Sequence, residues 1–166
     1  VRESALTAIV APDVESMRSI GASVAHGLAA VDESIVVALE GELGAGKTTL
    51  VGGILNALGV RGHVRSPTYT LIEPYELSDR VLYHLDLYRL ADPREVEPLG
   101  LRDLLLPRTI VLIEWPERGA GVLPPVDLTI RIQYRHEHEA GRRIELQWHS
   151  PAGRRVAQAL EATAKP

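Results

Sequence analysis

Residues Gly41-Glu42-Leu43-Gly44-Ala45-Gly46-Lys47-Thr48 have the spacing G-x-x-x-x-G-K-T. Such a loop states a chemistry. Its glycines let the backbone wrap a polyphosphate, and the N–H groups at the start of the following helix point at the oxygens. Lys47 is placed to reach the β/γ-phosphates and the Thr48 hydroxyl to ligate Mg²⁺. The chain holds two lysines against sixteen arginines, and one of the two stands here. A compact ammonium fits this cradle where a guanidinium fork does not. The predicted ligand contacts are therefore the loop and the opening of its helix: Gly41, Glu42, Leu43, Gly44, Ala45, Gly46, Lys47, Thr48 and Thr49.

Mg²⁺ wants oxygen ligands, with one or two from the protein. Thr48 is the first, and a carboxylate at the end of a buried strand is the expected second. Asp86, after Val81-Leu82-Tyr83-His84-Leu85, and Glu114, after Ile110-Val111-Leu112-Ile113, both qualify. One would touch the metal or its water shell, and the other would orient the attacking water or hold a first-shell water. The sequence does not apportion the two roles. Lys47, Asp86 and Glu114 are the candidate catalytic residues, and Thr48, Asp86 and Glu114 the candidate metal ligands.

Other residues read less sharply. Arg65-Ser66-Pro67-Thr68-Tyr69 is either a γ-phosphate-sensing loop or a proline turn before a strand. Arg89 and Arg118 read as surface ion-pair residues rather than transition-state stabilisers. His136-Glu137-His138 reads as a polar hairpin turn rather than a metal site, and His84 as a packed or hydrogen-bonded strand residue. The only asparagine, Asn56, lies inside the loop's helix, so the Asn-Lys-x-Asp signature of guanine recognition is missing and adenine is favoured.

The elements must bring these groups together. A short strand is expected at residues 7–11. Asp13 then caps a helix whose apolar positions Val14, Met17, Ile20, Val24, Leu28 and Val31 recur at three- and four-residue steps. Residues 35–39 form a strand buried on both faces. The phosphate loop opens a helix with Leu50, Val51, Ile54, Leu55 and Leu58 on one side, ended by Gly59. Residues 68–76 and 81–86 read as a hairpin. Asp92-Pro93 starts a helix that Pro98 divides into two short pieces. Residues 110–114 are a further buried strand. Runs 127–134 and 143–148 alternate and are expected as an antiparallel hairpin at the sheet edge. The chain beyond 150 is a short helix over 154–163 or a loose tail. Helices alternating with buried strands indicate a three-layer α/β fold with a mainly parallel centre and antiparallel edges. Such sheets bind ligands at the carboxyl ends of their strands, where the loop, Asp86 and Glu114 all fall.

The 166 residues are expected to form one domain with an ordinary core, at 45% hydrophobic. Phe is absent, so Leu, Val, Ile and Ala must build that core. A net charge of −4 argues against a free-standing nucleic-acid binder. Without cysteine there is neither a disulfide nor a thiolate metal site. No apolar run approaches the roughly 20 residues of a membrane span, and a secretory signal pattern is missing from residues 1–30. A cytoplasmic protein with no membrane and no DNA partner is expected.

Four blocks together resemble one family. Gly41-Glu42-Leu43-Gly44-Ala45-Gly46-Lys47-Thr48-Thr49-Leu50, Ser66-Pro67-Thr68-Tyr69-Thr70-Leu71, His84-Leu85-Asp86-Leu87-Tyr88-Arg89 and Ile113-Glu114-Trp115-Pro116-Glu117 are similar to TsaE, formerly YjeE. TsaE is the small bacterial P-loop ATPase of tRNA threonylcarbamoyladenosine (t6A) synthesis. Leu85 stands where that family often has Phe, and Tyr69 is a common variant of Phe; neither touches the metal chemistry. The resemblance implies Mg-dependent ATP hydrolysis, slow in isolation, in a complex with TsaD and TsaB, which modify adenosine 37 of tRNA. Contact with tRNA would be indirect. It also implies switch roles for segments 66–69 and 84–89 and places Trp115 beside the nucleotide. Two other readings stay open: a small-molecule or nucleotide kinase, and a non-catalytic ATP-dependent scaffold.

Overall fold

The computed structural model describes residues 7–62, 64, 67–136 and 139–163. Its strands are β1 (Thr7–Ala11), β2 (Ile35–Glu40), β3 (Ile72–Glu76), β4 (Val81–Asp86), β5 (Ile110–Glu114), β6 (Leu128–Tyr134) and β7 (Arg142–Trp148). The helices are α1 (Val14–Ala29), α2 (Lys47–Ala57), α3 (Leu101–Leu104) and α4 (Pro151–Thr163). All seven strands join one sheet in the order β1-β7-β6-β2-β5-β4-β3. The centre, β6-β2-β5-β4, is parallel. The flanks β1-β7-β6 and β4-β3 are antiparallel. The mixed α/β architecture is the one its alternating elements predict.

Period two explains how the centre is buried. Ile35, Val37 and Leu39 of β2 join the core under α1, α2 and α4, while Val36 faces a second, smaller core. In β5, Ile110 and Leu112 face the first core, and Val111 and Ile113 the second. The layers are unequal. Three helices cover one face; the other is covered by α3, two 3₁₀ segments (Pro93–Leu99 and Pro116–Gly119) and their loops. Fully buried Leu28, Leu50, Ile54 and Leu55 each stabilise the fold by about 1.5–3 kcal/mol relative to exposure.

Local signals start and stop the helices. Asp13 Oδ1 accepts from Ser16 N at 2.8 Å and caps α1. Asp92 caps the first 3₁₀ segment in a capping box with Glu95, and Gly100 ends it at φ 60°. Helices α1 and α2 cross closely because Gly21 and Gly53 face each other. A Cβ on Gly21 would lie 2.6 Å from Leu50 O and 3.0 Å from Gly53 Cα. That crossing fixes the start of α2 against the sheet.

At the end of the sheet away from the phosphate loop, Arg80 is buried at 8% exposure. Its guanidinium donates to Leu28 O (2.9 Å), Ala29 O (2.9 Å) and Val31 O (3.3 Å), carbonyls at and just past the end of α1, where intrahelical donors run out. Asp79 pairs with it, and Arg108 links Asp79 to Asp32.

Three expectations are corrected. The 127–134/143–148 hairpin is not at the sheet edge: β6 pairs in parallel with β2, and β1 lies outside β7. The strand expected over 68–76 begins only at Ile72, because Leu71 N returns to Pro67 O (2.8 Å) and Leu71 turns left-handed at φ 62°. The last helix begins at Pro151 rather than 154. Ser150 Oγ accepts from Gly153 N (3.1 Å) as its cap, and proline suits the first helical position.

Candidate nucleotide site

The first turn of α2 is built to receive an anion. Its N-cap is Gly46, which makes no side-chain capping bond and sits at φ 113°, a conformation favoured by glycine. The first N–H groups of an α-helix have no intrahelical partner, and the helix carries no acidic residue in that turn. Lys47 is only 5% exposed. Its Nζ donates to Gly41 O (2.5 Å) and Glu42 O (2.9 Å) and lies 4.1 Å from the Trp115 ring centroid. Burial pulls the ammonium below its ordinary pKa, opposed by the charges of Glu114, Glu117 and Asp86.

Sheet register delivers the acids. Asp86 and Glu114 are cross-strand partners at the carboxyl ends of β4 and β5. Both side chains therefore emerge on one face, as do His84 and Leu112 one step earlier. Thr48 Oγ1 donates at 3.2 Å to each oxygen of Glu114. His84 Nε2 lies 2.8 Å from Glu114 Oε1. Asp86 accepts from Tyr88 N at Oδ1 (3.0 Å) and from Thr68 Oγ1 at Oδ2 (3.2 Å). Thus Thr48 meets Glu114, while Asp86 ties the turn before β3 to the end of β4. Trp115, next to Glu114, holds a left-handed backbone (φ 58°, ψ 51°), a strain of about 1 kcal/mol or more for a bulky residue. The strain turns its ring over Lys47 and against Tyr88, 4.9 Å between centroids.

Lys47, Thr48, Asp86, Arg89, Glu114 and Trp115 line one cleft of about 410 Å³. Arg89, expected in a surface ion pair, instead stacks on Tyr69, 4.5 Å from the ring centroid. Arg118 approaches the Tyr88 ring at 5.9 Å. Arg65 and Ser66 of the proposed sensing loop lie outside the described residues, as do Glu137 and His138; His136 is exposed.

Sequence reasoning missed the outer support of the loop. Arg142 Nε donates to Ala45 O (3.1 Å), and Tyr134 Oη to Leu43 O (3.1 Å). A second, smaller cleft of about 190 Å³ adjoins the loop, lined by Pro12, Met17, Gly46, Thr49 and Arg142 among others. Only the register of β6 and β7 brings Tyr134 and Arg142 here, and nothing local in their sequence announces it.

The donor set fits a hard divalent cation: a hydroxyl and a carboxylate within hydrogen-bond distance of each other, with no sulfur or exposed imidazole. The open helix start and the lysine fit a polyphosphate.

Known proteins similar to this chain point to one family. The family model described as "Threonylcarbamoyl adenosine biosynthesis protein TsaE" matches residues 11–144. A protein of Haemophilus influenzae named tRNA threonylcarbamoyladenosine biosynthesis protein TsaE is 44% identical over 151 residues, covering 90% of this chain and 94% of its own. One of the same name from Mycobacterium leprae is 37% identical over 134 residues, covering 76% and 81%. The crystal structure of Bacillus subtilis YdiB superposes with a TM-score of 0.80 at 25% identity, over 99% of this chain and 100% of that one.

Proposed function

The chain belongs to the TsaE family of threonylcarbamoyladenosine biosynthesis, and from that premise we propose that it binds and hydrolyses Mg·ATP and acts on the TsaB–TsaD complex. One observation carries the reading. The uncapped start of α2, the buried Lys47 ammonium and the Thr48–Glu114 pair converge on one cleft.

Each residue then has a task. The α2 N–H groups and the loop backbone hold the phosphates. Lys47 exchanges the carbonyls of Gly41 and Glu42 for phosphate oxygens, so its present bonds mark where the ligand must compete. Thr48 and Glu114 would hold magnesium, which when bound neutralises phosphate charge. Asp86, whose carboxylate accepts from Tyr88 N and Thr68 Oγ1, would orient water. The smaller cleft beside Gly46 and Thr49, apolar at Pro12, Val14 and Met17 with Asp13 and Arg142 as its charged groups, would take the base. Trp115 and the arginines of the rim exclude water from the phosphates.

The reading fits a slow ATPase that waits for a partner. In other P-loop enzymes a positioned arginine adds ~10³–10⁵ in rate, whereas here Arg89 is occupied by Tyr69. The test is phosphate release with and without TsaB–TsaD, with unmodified tRNA as a further addition. Stimulation by the heterodimer is expected; equal turnover in both conditions refutes the partner role. Glu114→Gln should keep ATP binding without metal, lose much of the affinity that Mg²⁺ adds, and cut phosphate release by roughly 10²-fold or more. If wild type binds Mg·ATP but releases no phosphate even with its partners, the protein is a nucleotide-dependent scaffold. Labelled γ-phosphate found on a metabolite would make it a kinase.

A further inference from the structure

Resting on that nucleotide site, we propose that His84 is a positioning residue: its imidazole holds Glu114 Oε1 so that the carboxylate is presented to Thr48 and the divalent cation in one orientation.

The argument starts from where His84 stands. It belongs to the apolar centre of β4, between Leu82 and Leu85, and its cross-strand partner is Leu112. Its side chain is 0% exposed, so no nucleotide or partner can touch it. A leucine would satisfy this position by packing alone. Burying an imidazole there costs free energy unless its polar atoms are paired. One pairing is made: Nε2 to Glu114 Oε1 at 2.8 Å. The other ring nitrogen, Nδ1, is buried and has no hydrogen-bond partner among the described residues. The histidine therefore serves a single bond.

That orphan nitrogen also settles the direction of the bond. A carboxylate only accepts, so Nε2 carries the hydrogen; a hydrogen on Nδ1 would be a buried donor with no acceptor. The ring is held as the Nε2–H tautomer, donating to Oε1.

The consequence falls on Glu114, which is 2% exposed. Thr48 Oγ1 is equidistant from the two carboxylate oxygens, 3.2 Å to each, and cannot by itself choose between them. His84 breaks that symmetry. Oε1 is bonded to both the imidazole and Thr48, whereas among the described bonds Oε2 accepts from Thr48 alone, so the two oxygens are no longer equivalent. Partners of this kind, one bond removed from a metal, fix the orientation of the ligand.

The experiment separates positioning from packing by reading metal dependence rather than turnover. ATP is titrated calorimetrically into the full chain with Mg²⁺ and again with EDTA. The ratio of the two affinities is the metal-dependent gain. His84→Leu should leave ATP affinity in EDTA within about twofold of wild type while the metal-dependent gain falls roughly 10–100-fold. His84→Gln, whose amide nitrogen reaches the place of Nε2, should restore most of it. His84→Asn, whose amide reaches only as far as Nδ1, should not. A full metal-dependent gain in His84→Leu overturns the proposal. If that variant fails to fold, equal gains in the Gln and Asn variants overturn it instead. If wild type binds no Mg·ATP at all, the nucleotide reading itself falls and takes this proposal with it.

Discussion

Lys47 and Arg80 are the two buried cations among the described residues, and they do opposite work at opposite ends of the sheet. Both donate to backbone carbonyls. Arg80 spreads its guanidinium over the carbonyls of Leu28, Ala29 and Val31 and the carboxylate of Asp79, so its donors are committed on every side. Lys47 uses a point charge on Gly41 and Glu42, with an aromatic face above and an open cleft beside it. A rigid fork saturated by carbonyls closes a helix; a compact ammonium with few bonds can trade them for a ligand. Burial alone does not distinguish a structural cation from a working one. The number and kind of partners does.

Exchanging each residue for a neutral one should separate the two roles. The largest effect is expected for Lys47→Ala: Mg·ATP turnover should fall by roughly 10²–10³, with the thermal midpoint nearly unchanged. The fold holds that ammonium against its desolvation, so its loss removes little stability. Full retained turnover would abolish the contrast. Arg80→Met should do the reverse. Leaving the end of α1 without its donors should cost about 2–3 kcal/mol, lowering the midpoint by roughly 5–10 °C, while calorimetric ATP affinity stays as in wild type. A weakened affinity at unchanged stability would show that the two ends are coupled. The smallest change is Arg108→Ala. Arg108 joins Asp32 and Asp79 at 46% side-chain exposure, and its removal should cost no more than about 1 kcal/mol, measured by urea denaturation. A larger loss would make the Asp79–Arg108 link part of the Arg80 cap.

The same contrast explains what could be read from the sequence. The phosphate loop, Asp86 and Glu114 were legible because each depends on a local pattern: a spaced motif, or an acid closing a continuous apolar run. Strand β6 was misplaced for a physical reason. Its alternation of Leu128, Ile130 and Ile132 with Thr129 and Arg131 suggests one wet face. In the fold Thr129 is 7% exposed and is paired with His149 Nε2 at 2.9 Å. Arg131 is paired with Glu40 and Glu145. Polar residues with partners can line a central strand, and the partners lie in other elements. For the same reason Arg80 gave no signal as a helix cap, since α1 ends about fifty residues before it. His84 was legible as a hydrogen-bonded strand residue, but its acceptor thirty residues onward was not.

The hold that Tyr134 and Arg142 keep on the carbonyl side of the phosphate loop has a consequence for the order in which the protein is made. A nascent chain displays the whole loop and both acids by the time residue 114 leaves the ribosome. It still lacks the strand that flanks β2 and the two side chains that brace Leu43 and Ala45. The loop's final shape thus arrives late in synthesis, and a chain cut short before its closing hairpin would carry every diagnostic motif without the brace on Leu43 and Ala45.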